Sequence, residues 1–300
     1  MNKKWFVILN STSGNGFVRR KKTKIIKALS NLKEGFEIAD TKYPKHEIKL
    51  VQNALKNGFT NFISIGGDGT LHHVINGVFL QTEILPHTIN IGVIPVGTGN
   101  DWVKQYKIPL SITKNIAILN QKKTTKQDIG KIILKNTIYY FNNVAGLGLD
   151  GFVVRNLNKK LGKLSYILAA FKSVLHFKKS KIKISSKEVN KTVSSLFLGV
   201  GICKYSGGGM QFTDNPIPND GLLDITLVKD ISPLALFTNI HRLYNGKLAK
   251  HKAVEAFKTD IISIEILSNN LPFIQADGEL IGTGNPKFEI IPQAINFIIP

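Results

Sequence analysis

Residues 66–70 read Gly-Gly-Asp-Gly-Thr, after the apolar run Phe62-Ile63-Ser64-Ile65 and before Leu71-His72-His73-Val74-Ile75-Asn76-Gly77-Val78, whose apolar residues recur at helical spacing. Strand, glycine turn and helix form an arrangement that binds phosphate. Glycines let backbone N–H groups approach the oxygens, and a helix N-terminus favours negative charge. Asp68 narrows the reading. A carboxylate repels a phosphate unless a cation lies between them, so the loop points to Mg²⁺-nucleotide chemistry.

The surrounding chain alternates strand and helix. The pattern predicts strands over 5–9, 36–40, 61–65 and 89–94, and helices over 19–32, 46–57 and 71–80. Such alternation builds an α/β, doubly wound parallel sheet, whose ligands bind at the carboxyl ends of the strands. Polar, glycine-containing loops follow Leu9, Ile65 and Ile94 at those ends: Asn-Ser-Thr-Ser-Gly-Asn-Gly at 10–16, the 66–70 loop, and Pro-Val-Gly-Thr-Gly-Asn-Asp-Trp at 95–102. Each alone could be an ordinary turn; three at successive strand ends support one another.

Near Asp128 the rhythm changes to short strands, predicted at 131–134, 137–142, 181–185, 194–202, 221–228, 260–267, 273–277 and 287–292. Only 163–177 and 233–245 look helical there. This predicts an all-β sandwich over 129–300 behind a nucleotide domain over 1–128. The last apolar segment, 294–299, could pair in either domain.

A net charge of +20 favours an anionic partner, whether nucleotide, nucleic acid or acidic membrane. Arginine occurs only at Arg19, Arg20, Arg155 and Arg242, however, and the Lys, Ile and Asn bias of an AT-rich coding sequence explains the charge equally well. Scarce arginine argues against a nucleic-acid reader. One cysteine, Cys203, excludes an intramolecular disulfide and fits a reducing cytoplasm; its apolar neighbourhood predicts an inert buried thiol. No apolar stretch reaches membrane-spanning length. The seven histidines form no metal pattern. Adjacent His72 and His73 fall on different helix faces, with a loop contact expected for His72 and packing or solvent for His73.

Asn-Ser-Thr-Ser-Gly, Gly-Gly-Asp-Gly-Thr-Leu and Pro-Val-Gly-Thr-Gly-Asn-Asp, in this order and spacing, resemble the diacylglycerol kinase catalytic domain. The resemblance continues through Asn-Val-Ala-Gly-Leu-Gly-Leu-Asp at 143–150, Asn-Asp-Gly-Leu-Leu-Asp at 219–224 and Gln-Ala-Asp-Gly-Glu at 275–279, covering nearly the whole chain. Bacterial lipid kinases are the near relatives, with sphingosine and ceramide kinases further off. It implies a nucleotide domain like that of phosphofructokinase and NAD kinase, followed by a β-sandwich, with ATP between the domains. ATP would contact Asn10, Ser11, Thr12, Ser13, Gly14, Thr41, Gly66, Gly67, Asp68, Gly69, Thr70, Leu71, His72 and Thr98. It also implies a Mg²⁺ site at Asp220 and the carbonyls of Ile217 and Leu222, where a plain Asn-Asp-Gly turn is the competing reading. A second Mg²⁺, bridging the ATP phosphates, would be held near Asp68 with Asp101 or Asp128. The family usually has proline at the position of Ser11, and Phe-Ala-Arg where Trp102-Val103-Lys104 stands.

Glu279 is the candidate catalytic base. Phosphoryl transfer needs positioning, charge neutralisation and an acceptor for the hydroxyl proton, and a carboxylate suffices. Ala-Asp-Gly-Glu is also a tight turn signal, compatible with that role, and Asp277 is expected to support the turn or a metal network. The expected protein is therefore a cytoplasmic ATP- and Mg²⁺-dependent lipid kinase. Its lipid substrate, such as diacylglycerol, would lie at a membrane surface, with the basic run 176–183 read either as a peripheral contact or as a solvated helix end; nucleic acid is not expected as a partner. A homodimer stays open. The alternatives are a NAD kinase- or phosphofructokinase-like kinase of a soluble substrate, and a non-catalytic nucleotide-binding regulator at the membrane.

Overall fold

A computed structural model describes residues 2–96, 99–156, 179–229, 231–232, 235 and 238–300. The chain divides into two units, Met1–Gln127 with Gln293–Pro300, and Asp128–Pro292.

The first unit is a parallel sheet with helices on both faces. Strands β1 (Asn2–Leu9), β2 (Phe36–Asp40), β3 (Phe59–Gly66) and β4 (Asn90–Pro95) pair in the order β2-β1-β3-β4. Alternation along the strands sorts their side chains. Trp5, Val7 and Leu9 of β1 and Ile63 and Ile65 of β3 pack with Ile25 and Leu29 of α2 (Lys22–Leu29) and with Ile116 and Leu119 of α6 (Ile112–Gln121). On the other face Phe6 meets Phe59 and Phe62 edge-on at 5.2 and 6.1 Å. Helices α3 (His46–Lys56) and α4 (Asp68–Phe79) pack together there. Each fully buried aliphatic or aromatic side chain contributes about 1.5–3 kcal/mol.

The predicted helix over 19–32 is two helices, α1 (Ser13–Arg20) and α2, meeting at Lys21. The helical spacing of 71–80 also begins too late, because α4 starts at Asp68. Glycines inside both first turns hide the helix from an apolar-spacing argument. Helix α5 (Asp101–Gln105) completes the third loop.

The second unit is built largely from antiparallel strands. They are β5 (Thr124–Leu134), which begins in the first unit, β6 (Thr137–Phe141), β7 (Val144–Gly148), β8 (Ser180–Ser185), β9 (Asn190–Gly201), β10 (Tyr205–Ser206), β11 (Met210–Gln211), β12 (Leu223–Lys229), β13 (Val254–Thr259), β14 (Ile261–Ile266), β15 (Phe273–Ala276), β16 (Glu279–Thr283) and β17 (Pro286–Ile298). One path of paired strands runs β16-β15-β7-β9-β8-β14-β17, and β12 lies against both β9 and β13. Helix α7 (Leu149–Asn156) follows β7 directly, and α8 (His241–Asn245) is a single short helix. The predicted helix over 163–177 lies outside the described residues. Within 233–245, the helix that is described is confined to α8 and isolated positions.

Strand β17 merges the predicted strand over 287–292 with the apolar tail. Its first half pairs with β14, and Asn296 and Phe297 run parallel to Asn90 and Ile91 of β4. The tail therefore supplies the fifth strand of the first unit's parallel sheet.

Candidate functional site

Strand register brings the first unit's loops to one edge. Leu9 pairs with both Asp40 and Ile65, and Gly66 pairs with Pro95, so the four strands end level. Backbone bonds join their ends: Asn10 N–H to Ile65 O (3.1 Å), Thr41 N–H to Leu9 O (3.0 Å), and Val96 N–H to Gly66 O (2.8 Å). Thr98 lies outside the described residues; the other predicted nucleotide contacts are all placed.

Asn10 is the hub. Its Nδ2 donates to Thr70 Oγ1 and to Glu47 Oε1, both at 3.1 Å. Its Oδ1 accepts from the Thr12 N–H (3.1 Å) and hydroxyl (2.8 Å). Ser13 Oγ lies 3.5 Å from Thr70 Oγ1, and Ser11 Oγ donates to Asp40 Oδ1 at 2.9 Å. The Lys22 ammonium holds the other Asp40 oxygen at 2.6 Å. Thus Asn10, Ser11, Thr12 and Ser13 are tied into the sheet end, which offsets the missing proline at position 11.

Two glycines are required by close approach. A Cβ on Gly66 would stand 2.2 Å from Thr70 Oγ1, and one on Gly14, which has φ near +61°, would stand 2.4 Å from the Val96 carbonyl oxygen. Gly66 therefore admits Thr70, and Gly14 lets the first and third loops touch. Gly67 caps α4 in an extended conformation, and Asp68, Gly69 and Thr70 form its first turn. A first helical turn leaves N–H groups without intrahelical acceptors, suited to phosphate oxygens. Leu71 and His72 are buried, and Asn76 Nδ2 lies 3.3 Å from His72 Nε2 and donates to the His72 carbonyl at 2.8 Å. His72 is therefore a buried residue of α4. His73 Nδ1 lies 3.8 Å from the buried Glu47 carboxylate.

Asp68 holds the third loop in place. Its two oxygens accept the Asp101 N–H at 2.9 and 3.0 Å, and Oδ1 also accepts the Trp102 N–H at 3.2 Å. Asp101 is buried and pairs with Lys104 at 2.5 Å. Above Gly99, where a side chain would begin, Asp68 Oδ2 lies 3.0 Å away and Asp101 Oδ2 3.6 Å away. Carboxylate oxygens are the donors that a hard cation such as Mg²⁺ takes, and two lie near this glycine, although Asp68 already accepts two N–H groups and Asp101 is paired with Lys104. Asp128, in the second unit, is wholly buried and accepts the Gly221 N–H at 2.7 Å.

In the second unit, β15 and β16 join through a two-residue hairpin. Asp277 and Gly278 have φ of 50° and 80°, and Ala276 pairs with Glu279. Two positive φ values define the type I′ turn, whose twist matches its strands. The Asp277 carboxylate accepts the N–H groups of Asn142, Asn143 and Val144 at 3.1, 3.0 and 3.2 Å, and its own N–H donates to Val144 O at 3.0 Å. Asp277 therefore fixes the turn, and half-buried Glu279 stands at its exit. Cys203 is buried against the Asn142 carbonyl, and burial raises its thiol pKa well above the ordinary value, as expected of an inert thiol.

At the predicted Asp220 metal site, the carboxylate already has two partners. Oδ1 accepts the Leu222 N–H at 3.1 Å, and Oδ2 meets the Lys258 ammonium at 2.8 Å. The Ile217 carbonyl accepts the Asp220 N–H at 3.3 Å. Lys258 also lies 3.4 Å from Asp224, whose carboxyl is pushed up to about 6 by burial. A cation at Asp220 would compete with that ammonium. Among the described residues no cluster of three His, Cys, Asp or Glu side chains is placed to hold a metal.

Sequence reasoning missed Asp40, Glu47 and Lys22, which brace the first loop. Asp40 stands at a strand end and could have been suspected there; Glu47 carried no local signal. Of the lysines in the basic run 176–183, Lys179, Lys181 and Lys183 are described, the last two on β8. These two alternate with buried Ile182 and Ile184 along β8, and so form the exposed face of a strand.

The diacylglycerol kinase catalytic domain matches residues 4–132, and the YegS C-terminal NAD kinase beta sandwich-like domain matches residues 143–299. Similar curated proteins include a "Probable lipid kinase YegS-like" of Pectobacterium atrosepticum, 25% identical over 84% of this chain and 82% of its own. Another of the same name, from Shewanella frigidimarina, is 28% identical over 84% and 81%. In fold the chain is similar to the solved structure of "a putative diacylglycerol kinase from Bacillus anthracis str. Sterne", with a TM-score of 0.81 over 99% of this chain and 97% of that one at 24% identity. With its doubly wound first unit and its largely antiparallel second, the chain belongs to the family that joins a diacylglycerol kinase catalytic domain to a YegS C-terminal beta sandwich-like domain.

Proposed function

We propose that this protein transfers the γ-phosphate of ATP to a hydroxyl of a lipid such as diacylglycerol. The observation that carries the reading is the Asp277-Gly278 turn: three N–H donors on Asp277 fix a rigid hairpin, and the only charged side chain it delivers at its exit is that of Glu279. The family membership supplies the reaction class.

In this reading the backbone of α4's first turn and the hydroxyls of Ser11, Thr12 and Ser13 bind the nucleotide's phosphates. Thr41 and Gly14 line the same strand ends, and Asp68 and Asp101 would hold Mg²⁺. When bound, Mg²⁺ neutralises charge developing on the phosphate oxygens. Glu279 accepts the proton of the lipid hydroxyl as its oxygen bonds to the γ-phosphorus and the bond from that phosphorus to the bridging oxygen breaks, releasing ADP. Exposed Lys181 and Lys183 would add attraction to an anionic bilayer, about 1 kcal/mol each. No helix among the described residues is long and apolar enough to cross a membrane.

A kinase of a soluble acceptor is the second reading, favoured by the NAD kinase-like character of the second domain. Labelled ATP incubated with a total lipid extract, followed by mass identification of the labelled product, separates them. A labelled lipid supports the proposal; transfer to NAD or a sugar phosphate with no lipid present selects the alternative.

A further inference from the structure

Behind the Asp277-Gly278 turn lies a carboxyl group with no part in the transfer described above. Asp150, in the first turn of α7, directs its carboxyl across β7, where a Cβ on Gly146 would stand 2.6 Å from Oδ2. Asp150 Oδ1 accepts the Gly151 N–H at 2.7 Å, and Oδ2 accepts Gln275 Nε2 at 2.8 Å. The other end of the same amide, Gln275 Oε1, accepts the Gly278 N–H at 2.9 Å. Gln275 is buried, and Gly278 immediately precedes Glu279.

The polarity of this relay has one solution. Both Asp150 oxygens face N–H donors, an arrangement that suits the ionised carboxylate, which is an acceptor only. An acceptor at Oδ2 turns the Gln275 amine toward Asp150 and so its carbonyl toward Gly278. A reversed amide would set its amine against the Gly278 N–H, two donors with no acceptor between them. We propose that Asp150 is a positioning residue for Glu279: its carboxylate orients the Gln275 amide, which in turn pins Gly278 and the turn that presents Glu279. This rests on Glu279 being the base of the proposed reaction.

Burial pushes the Asp150 carboxyl up to about 7, against the hydrogen bonds from Gln275 and Gly151 that lower it. A proton on either oxygen meets a donor, so the relay loosens as pH falls through that value. Helix α7 packs on β7, β9, β15 and β16. β7 and β15 bring no titratable side chain. β9 brings Lys191, which is ion-paired to Glu255, and β16 brings Glu279. Arg155, on α7 itself, lies over the Phe273 ring at 4.5 Å.

Asp150→Asn leaves one acceptor where two are needed. It should lower kcat roughly tenfold or more, with the ATP KM within about twofold of the parent. Gln275→Glu alone faces two carboxyls and should be slowed as well. Combined, Asp150→Asn and Gln275→Glu restore a donor facing an acceptor, with the Gly151 and Gly278 N–H groups still served, so kcat recovers. A double variant no faster than either single one overturns the proposal. In the unsubstituted protein the Gly278 amide resonance should titrate with a midpoint near 7. A resonance that stays still between about pH 5.5 and about pH 8.5 also overturns it, however the variants fold. Full activity of Glu279→Gln would instead refute the base while leaving that titration intact.

Discussion

Asp277 combines a left-handed backbone with three accepted N–H bonds, two demands that few side chains meet together. Asp277→Ala would strain φ and strip the acceptor from three amides. The expected loss is on the order of 3 kcal/mol, read as a fall in the melting temperature of roughly 6–12 °C. Asp277→Asn, which tolerates positive φ and keeps one acceptor, should lose clearly less. Asp150 makes a second prediction, in stability against pH. Its folded pKa, about 7, lies above the unfolded value near 3.9. The folded state therefore binds more protons between those values, and this group's contribution is full below about 4 and lost as pH rises through about 7. Denaturant titrations should show a falling stability difference, parent minus Asp150→Asn, across that window; a flat difference refutes it. At this scale the turn at Asp277 was legible, because Ala-Asp-Gly-Glu is a local turn pattern. The bond between Asp150 and Gln275 was not, because the two are 125 residues apart.

The loops proposed to hold the nucleotide depend on how elements start and end. Gly66 closes β3, and its missing side chain makes room for Thr70, on which Asn10 and Ser13 converge. Gly66→Ala should displace Thr70, loosen the first loop and weaken ATP binding by about tenfold or more, measured by calorimetry. Unchanged affinity would mean that the Asn10–Thr70 link does not shape the site. Strands β1 to β4 were legible because buried parallel strands are short apolar runs between turn residues. The starts of α1 and α4 were not, since Ser-Gly-Asn-Gly and Asp-Gly-Thr carry no apolar periodicity. In the second unit, β13 was missed because half-buried Glu255 and Lys258 break its alternation. β7 and β16 are interrupted by glycines, as a weak strand signal would be.

At the scale of the whole molecule, the end of the chain matters most. Residues 293–300 return to the first unit, where Phe297 is fully buried and its ring lies 4.3 Å from that of Trp102. No local pattern reveals which sheet an apolar tail joins; register and packing decide it. Phe297→Ala should cost about 3–5 kcal/mol, and deletion of 293–300 should remove a strand from the sheet proposed to carry the nucleotide and with it ATP binding. Retained ATP affinity after the deletion would refute that dependence. The central claim is that nucleotide binding and proton removal reside in different parts of the chain, and Glu279→Gln tests it most directly. With labelled ATP and lipid extract, the account predicts parental ATP affinity and a loss of phosphoryl transfer of at least about a hundredfold. Lipid phosphorylation at the parental rate would contradict it.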